Sequence, residues 1–515
     1  MDRKWWTLLV VCAATFMLLL DVTIVVVALP DIQRALTASF GQVQWVTDAY
    51  ALTLASFLLT SGSLADRFGR RRAFLVGLVV FTLGSVLCAA APDPLVLIIS
   101  RAAQGVGGAI LFATSLALLA TSFQGRQRGV ALGVWGATTG IATALGPILG
   151  GVITSGFSWR GIFWVNLPVG AAAVVITLWR VAESRAPHAH RPDWPGFTSL
   201  TLALVSLVYG LIRASESSWS DAGVIVCLVL AAVALTSFVV IEHRVAHPMF
   251  DLSLLRIPTF LGGSIAAFAI NGALYAMLLY VAIYLQDDLG YSALQAGVRM
   301  LLISGLALVF ATVSGRLSAH VPARWLVGPG LLVVGLGLFL MSGLSGTTPW
   351  THLIPGLILT GAGSGLVNPP LASTAVGVVH PSRSGMASGV NNTFRQIGTS
   401  VGIAAYGSIF TAGLANGLLT RLAGTPFADR SGQIADAVHR GAAGALVAGN
   451  PELAGPIGDS FAGAFNELLI VSGVLAVLGG IAALLLIRTK DFAGVGAARQ
   501  GTPQKAEQHT VNVSA

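Results

Sequence analysis

Fourteen apolar stretches, each about 20 residues long and nearly free of charge, run through this 515-residue chain. A bilayer core about 30 Å thick is crossed by ~20 apolar residues in a helix. Backbone groups in lipid must also find their partners within the segment. Only 10% of the residues are charged and 55% are hydrophobic, with a mean hydropathy of +0.81; soluble domains carry about 25% charged residues. These values exclude a soluble protein and predict an all-α polytopic membrane protein. Helices are expected near 5–29, 44–64, 73–91, 95–120, 129–153, 162–181, 197–213, 222–242, 259–286, 293–316, 324–344, 351–378, 385–412 and 465–487. The first stretch is long and contains Asp21, so it reads as a retained span and not a cleaved leader.

A net charge of +8 and a pI near 9.9 could suggest a nucleic-acid partner. In a membrane chain, however, basic residues mark the cytoplasmic face, and no nucleic acid is expected. With the N-terminus inside, 20 Lys and Arg fall on cytoplasmic segments and 6 on external ones. Three more (Arg101, Arg299 and Arg395) lie within helices. Both termini are therefore expected in the cytoplasm. Cys12, Cys88 and Cys227 sit in apolar runs, which implies neither a disulfide framework nor a metal site. The nine His lie in loops, the tail or helix edges, away from any buried proton path. Arg outnumbers Lys 26 to 3 and Ala and Gly are abundant, pointing to a GC-rich bacterial source.

Ser61-Gly62-Ser63-Leu64 after the second helix is echoed by Ser314-Gly315-Arg316-Leu317 after the tenth, at an offset of 253. Two related bundles are what transporters use to alternate access around a central site. The expected domains are residues 1–182, a linker with two extra helices over 183–258, and a second bundle over 259–490. That second bundle is interrupted by an external loop at 413–463, and a disordered tail over 491–515 follows it.

An ionisable group in the bilayer costs roughly 2.5–3.5 kcal/mol on insertion scales, so each one needs a reason. Asp21, about 24 Å along the first helix at 1.5 Å per residue, Asp48 and Arg101 share the outer half of the bilayer. Two acids near one arginine make a site for a carboxylate that exchanges a proton for a ligand; a static ion pair that fixes helix packing is the alternative. In the second half, Asn391, Asn392, Arg395 and Gln396 lie near mid-depth on the thirteenth helix, where they either line a cavity or bond neighbouring helices. Asn271, Tyr275, Tyr280 and Tyr284 interrupt the ninth span; they suit flat hydrophobic ligands, with Tyr284 reading rather as interfacial belt. Gly105-Val106-Gly107-Gly108 and Gly361-Ala362-Gly363-Ser364-Gly365 read as close helix packing, not phosphate loops. Pro147 removes a backbone bond from a glycine-faced helix, which suits a seal or hinge.

The ordered motifs resemble those of the major facilitator superfamily, specifically its fourteen-helix drug:H+ antiporter-2 family. Gly62-Ser-Leu-Ala-Asp66-Arg67-Phe-Gly69-Arg70-Arg71-Arg72 is similar to the signature loop between helices 2 and 3. Arg101-Ala-Ala-Gln104-Gly105-Val-Gly107 resembles the helix-4 motif associated with proton coupling. Gly146-Pro147-Ile-Leu-Gly150-Gly151 resembles the helix-5 antiporter motif, and Asp21-Val-Thr23 through Pro30 the helix-1 motif. Trp159-Arg160 with Phe163, Asn166 and Pro168, the segment Glu242-His-Arg244 with Pro248, and Gly385 through Gly398 complete the set.

The resemblance implies two six-helix bundles with two helices between them. It implies proton coupling through Asp21 and Arg101, with Asp21 the protonated acid. Asp66, Arg67 and Arg70 would form a cytoplasmic clamp that stabilises the outward-open state, and Pro147 with its flanking glycines a seal against leak. Two departures stand out. Ala319 occupies the place that Asp66 holds in the first half, and the tenth helix carries Arg299 but no acid. With only two intramembrane acids, a dicationic substrate range is not expected.

The expected function is proton-driven efflux of small amphipathic drugs or antibiotics from a bacterial inner membrane. Protons and lipid are its other partners, and it would act as a monomer without cofactor or metal. Proton-coupled metabolite uptake is the alternative. An embedded enzyme would need a nucleophile, metal cluster or interfacial acid pair that the sequence does not offer, and a channel is disfavoured by the two-bundle layout.

Overall fold

The computed structural model describes residues 2–123, 125–185, 192–246, 248–318, 320–379, 384–439 and 442–492. Fourteen long helices dominate it. The first six are α1 (Arg3–Leu36), α2 (Phe40–Phe68), α3 (Arg70–Ala90), α4 (Pro94–Ser122), α5 (Gly125–Gly156) and α6 (Gly161–Arg180). Next come α7 (Trp194–Glu216) and α8 (Ala222–Arg244). The last six are α9 (Pro258–Asp288), α10 (Ala293–Leu317), α11 (Arg324–Met341), α12 (Ile354–Val376), α13 (Ser384–Leu422) and α14 (Ala454–Leu486). Among the described residues, 12 helices are long and apolar enough to cross a membrane. Helices α2 and α12, at 29 and 23 residues, have the length but carry more polar side chains.

The helix ends follow from local chemistry. Ser39 caps α2, accepting from the Gln42 N–H at 3.2 Å while Gln42 Oε1 accepts from the Ser39 N–H at 2.9 Å. Ser292 and Gln295 build the same reciprocal cap on α10, at 3.3 and 3.1 Å. The two caps stand 253 residues apart, the offset of the Ser-Gly echo at the other ends of these helices. Each cap satisfies two N–H groups that the first turn would otherwise leave open.

Helices α1–α6 and α9–α14 form two bundles. They meet along three seams, α5 against α10, α2 against α13 and α1 against α9. Small residues allow the first of these: a Cβ on Gly151 would lie 2.7 Å from the Leu294 Cα, and one on Gly297 would meet the Pro147 carbonyl. The hairpin α7–α8 lies outside both bundles, with α7 on α2 and α13. Helix α8 turns its apolar side chains outward, Val226 and Val233 being 63% and 57% exposed, as a lipid-facing helix should. Within α9, Asn271–Tyr275 and Tyr284–Asp288 are π-helical turns on either side of the α-helical segment Ala276–Ile283.

Residues 413–463 differ from the expected loop. Leu414, Leu418 and Leu422 continue the buried face of α13 at four-residue spacing, and Ile457 and Phe461 start α14 early by packing into the same core. The remaining connection holds short helices at Ser431–His439 and Ala443–Gly449. Ile434, Ala435 and Val438 of the first are buried. Helix α1 likewise runs past its expected end, through Pro30, to an Asp31–Arg34 pair at 2.7 Å. Of the tail, Asp491 accepts from Thr259 at the start of α9, at 2.6 Å from its hydroxyl. Residues 493–515 and the degenerate Ala319 position lie outside the described residues.

Candidate functional site

Five helices of the first bundle bring their polar side chains to one buried point. Asp21 of α1 and Arg101 of α4, each 1% exposed, form an ion pair at 2.5 Å. Asp21 Oδ1 also accepts from Gln104 Nε2 at 2.9 Å and from Asn166 Nδ2, on α6, at 3.1 Å. Ser85 of α3 accepts from Asn166 at 2.9 Å and donates to the Phe163 carbonyl at 3.0 Å. Arg101 donates to the Val46 carbonyl of α2 at 3.0 Å and to Gln104 at 2.8 Å, and its guanidinium lies 4.3 Å from the Tyr50 ring centre. A buried ion pair repays its desolvation only when its spare lone pairs and protons are also satisfied, and here both Asp21 oxygens and the Nε and Nη1 of Arg101 are hydrogen-bonded. The arrangement ties the Asp21 side chain of α1 to α3, α4 and α6 directly or through Ser85, and through Arg101 to α2.

Asp48 does not join it. Val46 and Tyr50, two residues before and after, face Arg101, so at about 100° per residue Asp48 points to the opposite side of α2. It is fully buried against α13, where its carboxyl group faces the Ser400 hydroxyl and forms no ion pair among the described residues. One turn earlier, Gln44 donates to the Tyr280 hydroxyl at 2.9 Å and to the Ile403 carbonyl at 3.2 Å. The two acids expected to share one arginine therefore lie in separate places: Asp21 within the first bundle, Asp48 between the bundles.

The second-half residues divide in the same way. Arg395 donates to Asn368 Oδ1 of α12 at 2.7 Å and to Asn391 Oδ1 at 3.4 Å, while Asn368 reaches the Tyr275 hydroxyl at 3.5 Å. No carboxylate pairs with Arg395 among the described residues. Asn271 and Asn392 instead donate to carbonyls one turn back, Ala267 and Ser388. Gln396 is half-buried on α13 and joins neither set. Tyr275 lines a cavity of about 40 Å³ between the bundles with Thr23, Pro147, Met300, Ser304 and Ser364. Tyr284 is a correction to the interfacial reading: it is 0% exposed and stacks on Phe465 at 4.8 Å, because α13 and α14 extend beyond the expected membrane edge and cover it.

The loop between α2 and α3 is built around Gly69, whose φ of 112° suits glycine and whose Cβ would fall 2.7 Å from the Glu183 carboxylate. Asp66 pairs with Arg70 at 2.7 Å, and Arg67 stacks over Phe68 at 5.5 Å. A Cβ on Gly62 would meet open space. Glu183, after α6, accepts from the Arg71 N–H at 3.1 Å and lies 3.7 Å from Arg72. In α5, Gly146 and Gly150 pack on Thr23 and Ile24 of α1, next to Asp21, while Pro147 and Gly151 face α10. At the end of the bundles away from the chain's start, Gln286 donates to the Val27 carbonyl at 2.8 Å and Ser155 accepts from the Leu294 N–H at 3.0 Å. At the opposite end, Cβ positions on Gly133, Gly136 and Gly315 meet nothing within 4 Å. The seam is thus bonded across at one end and slack at the other.

Sequence reasoning did not single out Ser85, Gln104 or Asn166 as partners of Asp21, nor Asn368 or Glu183. Three of them had a signal: Gln104 one turn from Arg101, Asn166 an amide in an apolar span, Asn368 an amide before Pro369-Pro370.

Comparison with known proteins places this geometry in context. A profile of the Major Facilitator Superfamily matches residues 11–403. The chain is 38% identical to multidrug resistance protein Stp of Mycobacterium tuberculosis over 79% of this chain and 76% of that one. It is 37% identical to puromycin resistance protein pur8 of Streptomyces alboniger over 80% and 83% of the two. Drug efflux pump JefA of Mycobacterium tuberculosis is 32% identical over 94% and 96%. Among solved structures, an inward-facing, unoccupied bacterial homologue of the human lysosomal transporter Spinster matches 96% of this chain and 98% of its own. Its TM-score is 0.65 and its identity 17%, which shows a shared fold.

Proposed function

Since this chain belongs to the Major Facilitator Superfamily, with a fourteen-helix layout that fits the drug:H+ antiporter-2 branch, we propose that it exports small amphipathic drugs or antibiotics across a bacterial inner membrane in exchange for protons. The observation that carries the proton half of this reading is Asp21, a fully buried carboxylate held by Arg101, Gln104 and Asn166. The export half is supported by relatives named for drug and antibiotic resistance.

In the proposed cycle a proton from outside neutralises Asp21. The ion pair is lost, while Arg101 keeps the Val46 carbonyl and its place over Tyr50. Helix α1 is then free to shift against α4, and through Gly146 and Gly150 against α5, which lines the seam with α10. Substrate would sit between the bundles beside Tyr275, with the Asn368–Arg395–Asn391 group supplying neutral amides and one positive charge. Asp48, sealed between α2 and α13, would be exposed and ionised when that seam opens. Asp66, Arg70 and Gly69 would form the cytoplasmic clamp. Both termini would be cytoplasmic, the slack end of the seam would face the cytoplasm, and the protein would work as a monomer without cofactor or metal.

The test uses everted vesicles energised to an acid interior and challenged with cationic, neutral and anionic drugs. The expected result is a substrate-dependent collapse of the gradient, lost in Asp21→Asn with normal protein levels. Normal coupled export by Asp21→Asn would exclude Asp21 as the carrier, and substrate-driven movement in the uptake direction would overturn export.

A further inference from the structure

Away from the pathway, two buried carboxyl groups meet at the base of the α7–α8 hairpin. Asp193 caps α7, its Oδ1 accepting from the Gly196 N–H at 2.9 Å. Glu242 lies one residue pair from the end of α8, its Oε2 accepting from the Phe250 N–H at 3.3 Å. The two residues are 6% and 4% exposed. The remaining oxygen of each, Asp193 Oδ2 and Glu242 Oε1, has no hydrogen-bond partner among the described residues. Both lie beside Gly196, 2.5 and 2.9 Å from the point where its Cβ would be, so they are at most 5.4 Å apart.

We propose that Glu242 and Asp193 form a proton-binding site distinct from Asp21, in which Glu242 carries the proton on its unpartnered oxygen, facing the unpartnered oxygen of Asp193. Two ionised carboxylates this close and this buried repel each other, and neither forms an ion pair with a described cation. The other acid whose field reaches Glu242 is Asp251, at the head of the short turn Leu252–Arg256, and it adds repulsion. The neighbouring His243 and Arg244 are exposed, His243 bonding the Val239 carbonyl of its own helix. Among the described residues of α2 and α13, the helices on which α7 packs, no charged group contributes to the field at Glu242. A proton is the smallest ligand that resolves the contact, and the site lies on the face that the proposed orientation turns to the cytoplasm.

The site has an outlet to the moving helices. The Phe250 N–H is bound to Glu242, and its ring packs edge-on against Phe394 of α13 at 6.4 Å, one residue before Arg395. The preceding Met249 accepts a hydrogen bond from Thr60 of α2 at 3.9 Å. Through its bond to the Phe250 N–H, Glu242 holds a two-residue strap across the α2–α13 seam. Loss of the proton as cytoplasmic pH rises leaves two like charges side by side at Gly196, and their repulsion acts on the strap through the Glu242–Phe250 N–H bond. Proton occupancy here would thus set how readily that seam opens, whatever substrate the protein carries.

The experiment is a pH series of infrared difference spectra on the purified full-length protein in lipid discs, in an Asp21→Asn background, with Glu242→Gln or Asp193→Asn added. It needs no transport, so it stands whether or not antiport is found. The expected result is a protonated-carboxyl band lost as pH rises, with that titrating component absent from both added variants. Both changes are isosteric and neutral, and either alone carries the test if the other fails to fold. A band unaltered by both substitutions overturns the proposal. So does added Ca²⁺ raising the melting temperature of the Asp21→Asn protein but not of the Glu242→Gln variant, which would make the pair a divalent-cation site.

Discussion

Arg101 in the first bundle and Arg395 in the second are set into similar polar clusters and treated oppositely by their neighbours. Arg101 meets a carboxylate, its Nε and Nη1 are hydrogen-bonded, and it lies over the Tyr50 ring. Arg395 meets two amides, and Asn368 passes the contact on to Tyr275. The halves share their scaffold, down to matching caps on α2 and α10, yet of the two arginine clusters only the first contains a carboxylate. The second keeps its positive charge at any physiological pH, since guanidinium does not deprotonate in proteins. One cluster is thus an ion pair among polar partners and the other a guanidinium held by amides.

The largest effect should come from removing the charge partner on one side only. Arg101→Ala leaves Asp21 buried and unpaired, and breaking such a pair typically costs about 3–5 kcal/mol. Arg395→Gln should stay within about 1 kcal/mol of wild type, because lost bonds to Asn368 and Asn391 are offset by relief of a buried charge without a counter-ion. Thermal unfolding of both variants in one detergent reads the difference; equal losses would erase the contrast. The Gly69→Ala change comes next, at about 1–3 kcal/mol, since it forces a glycine-favoring backbone angle and crowds Glu183. Its effect should be greater on turnover than on the Asp21 region, and unchanged turnover with normal expression would remove the clamp from the cycle. Smallest of all, Ser39→Ala and Ser292→Ala should each cost about 1 kcal/mol, and by similar amounts. Clearly unequal losses in unfolding would show that the repeat is matched in sequence but not in energy.

Hydrophobic runs were enough to read the spans, because each crossing needs its own apolar length. Helix ends were harder. Leu414, Leu418 and Leu422 extend α13 by packing on α14, a tertiary contact no local pattern announces. The Asp21–Arg101 pairing was legible from cost alone: two ionisable groups at similar depth have reason to meet. Asp48 was misgrouped because depth fixes height along a helix but not the angle around it, and Val46 and Tyr50 decide that angle. The uncharged partners Ser85 and Asn368 were passed over, and Asn166 was named only as part of a motif, because a lone amide or hydroxyl in an apolar span costs too little to demand explanation.

The two π-helical turns of α9 separate length from phase. Each wide turn holds one residue more than an α-helical turn of the same span, with the flanking segments still in register. Shortening the chain by one residue inside Asn271–Tyr275 would close that turn into ordinary helix and leave Tyr280 pointing at Gln44. The same deletion in the regular turn at Ala266 would rotate everything beyond it by about 100° and carry Tyr280 off its partner. Helix α9 therefore has two places where evolution can edit a residue without re-aiming the seam, and elsewhere along it almost none.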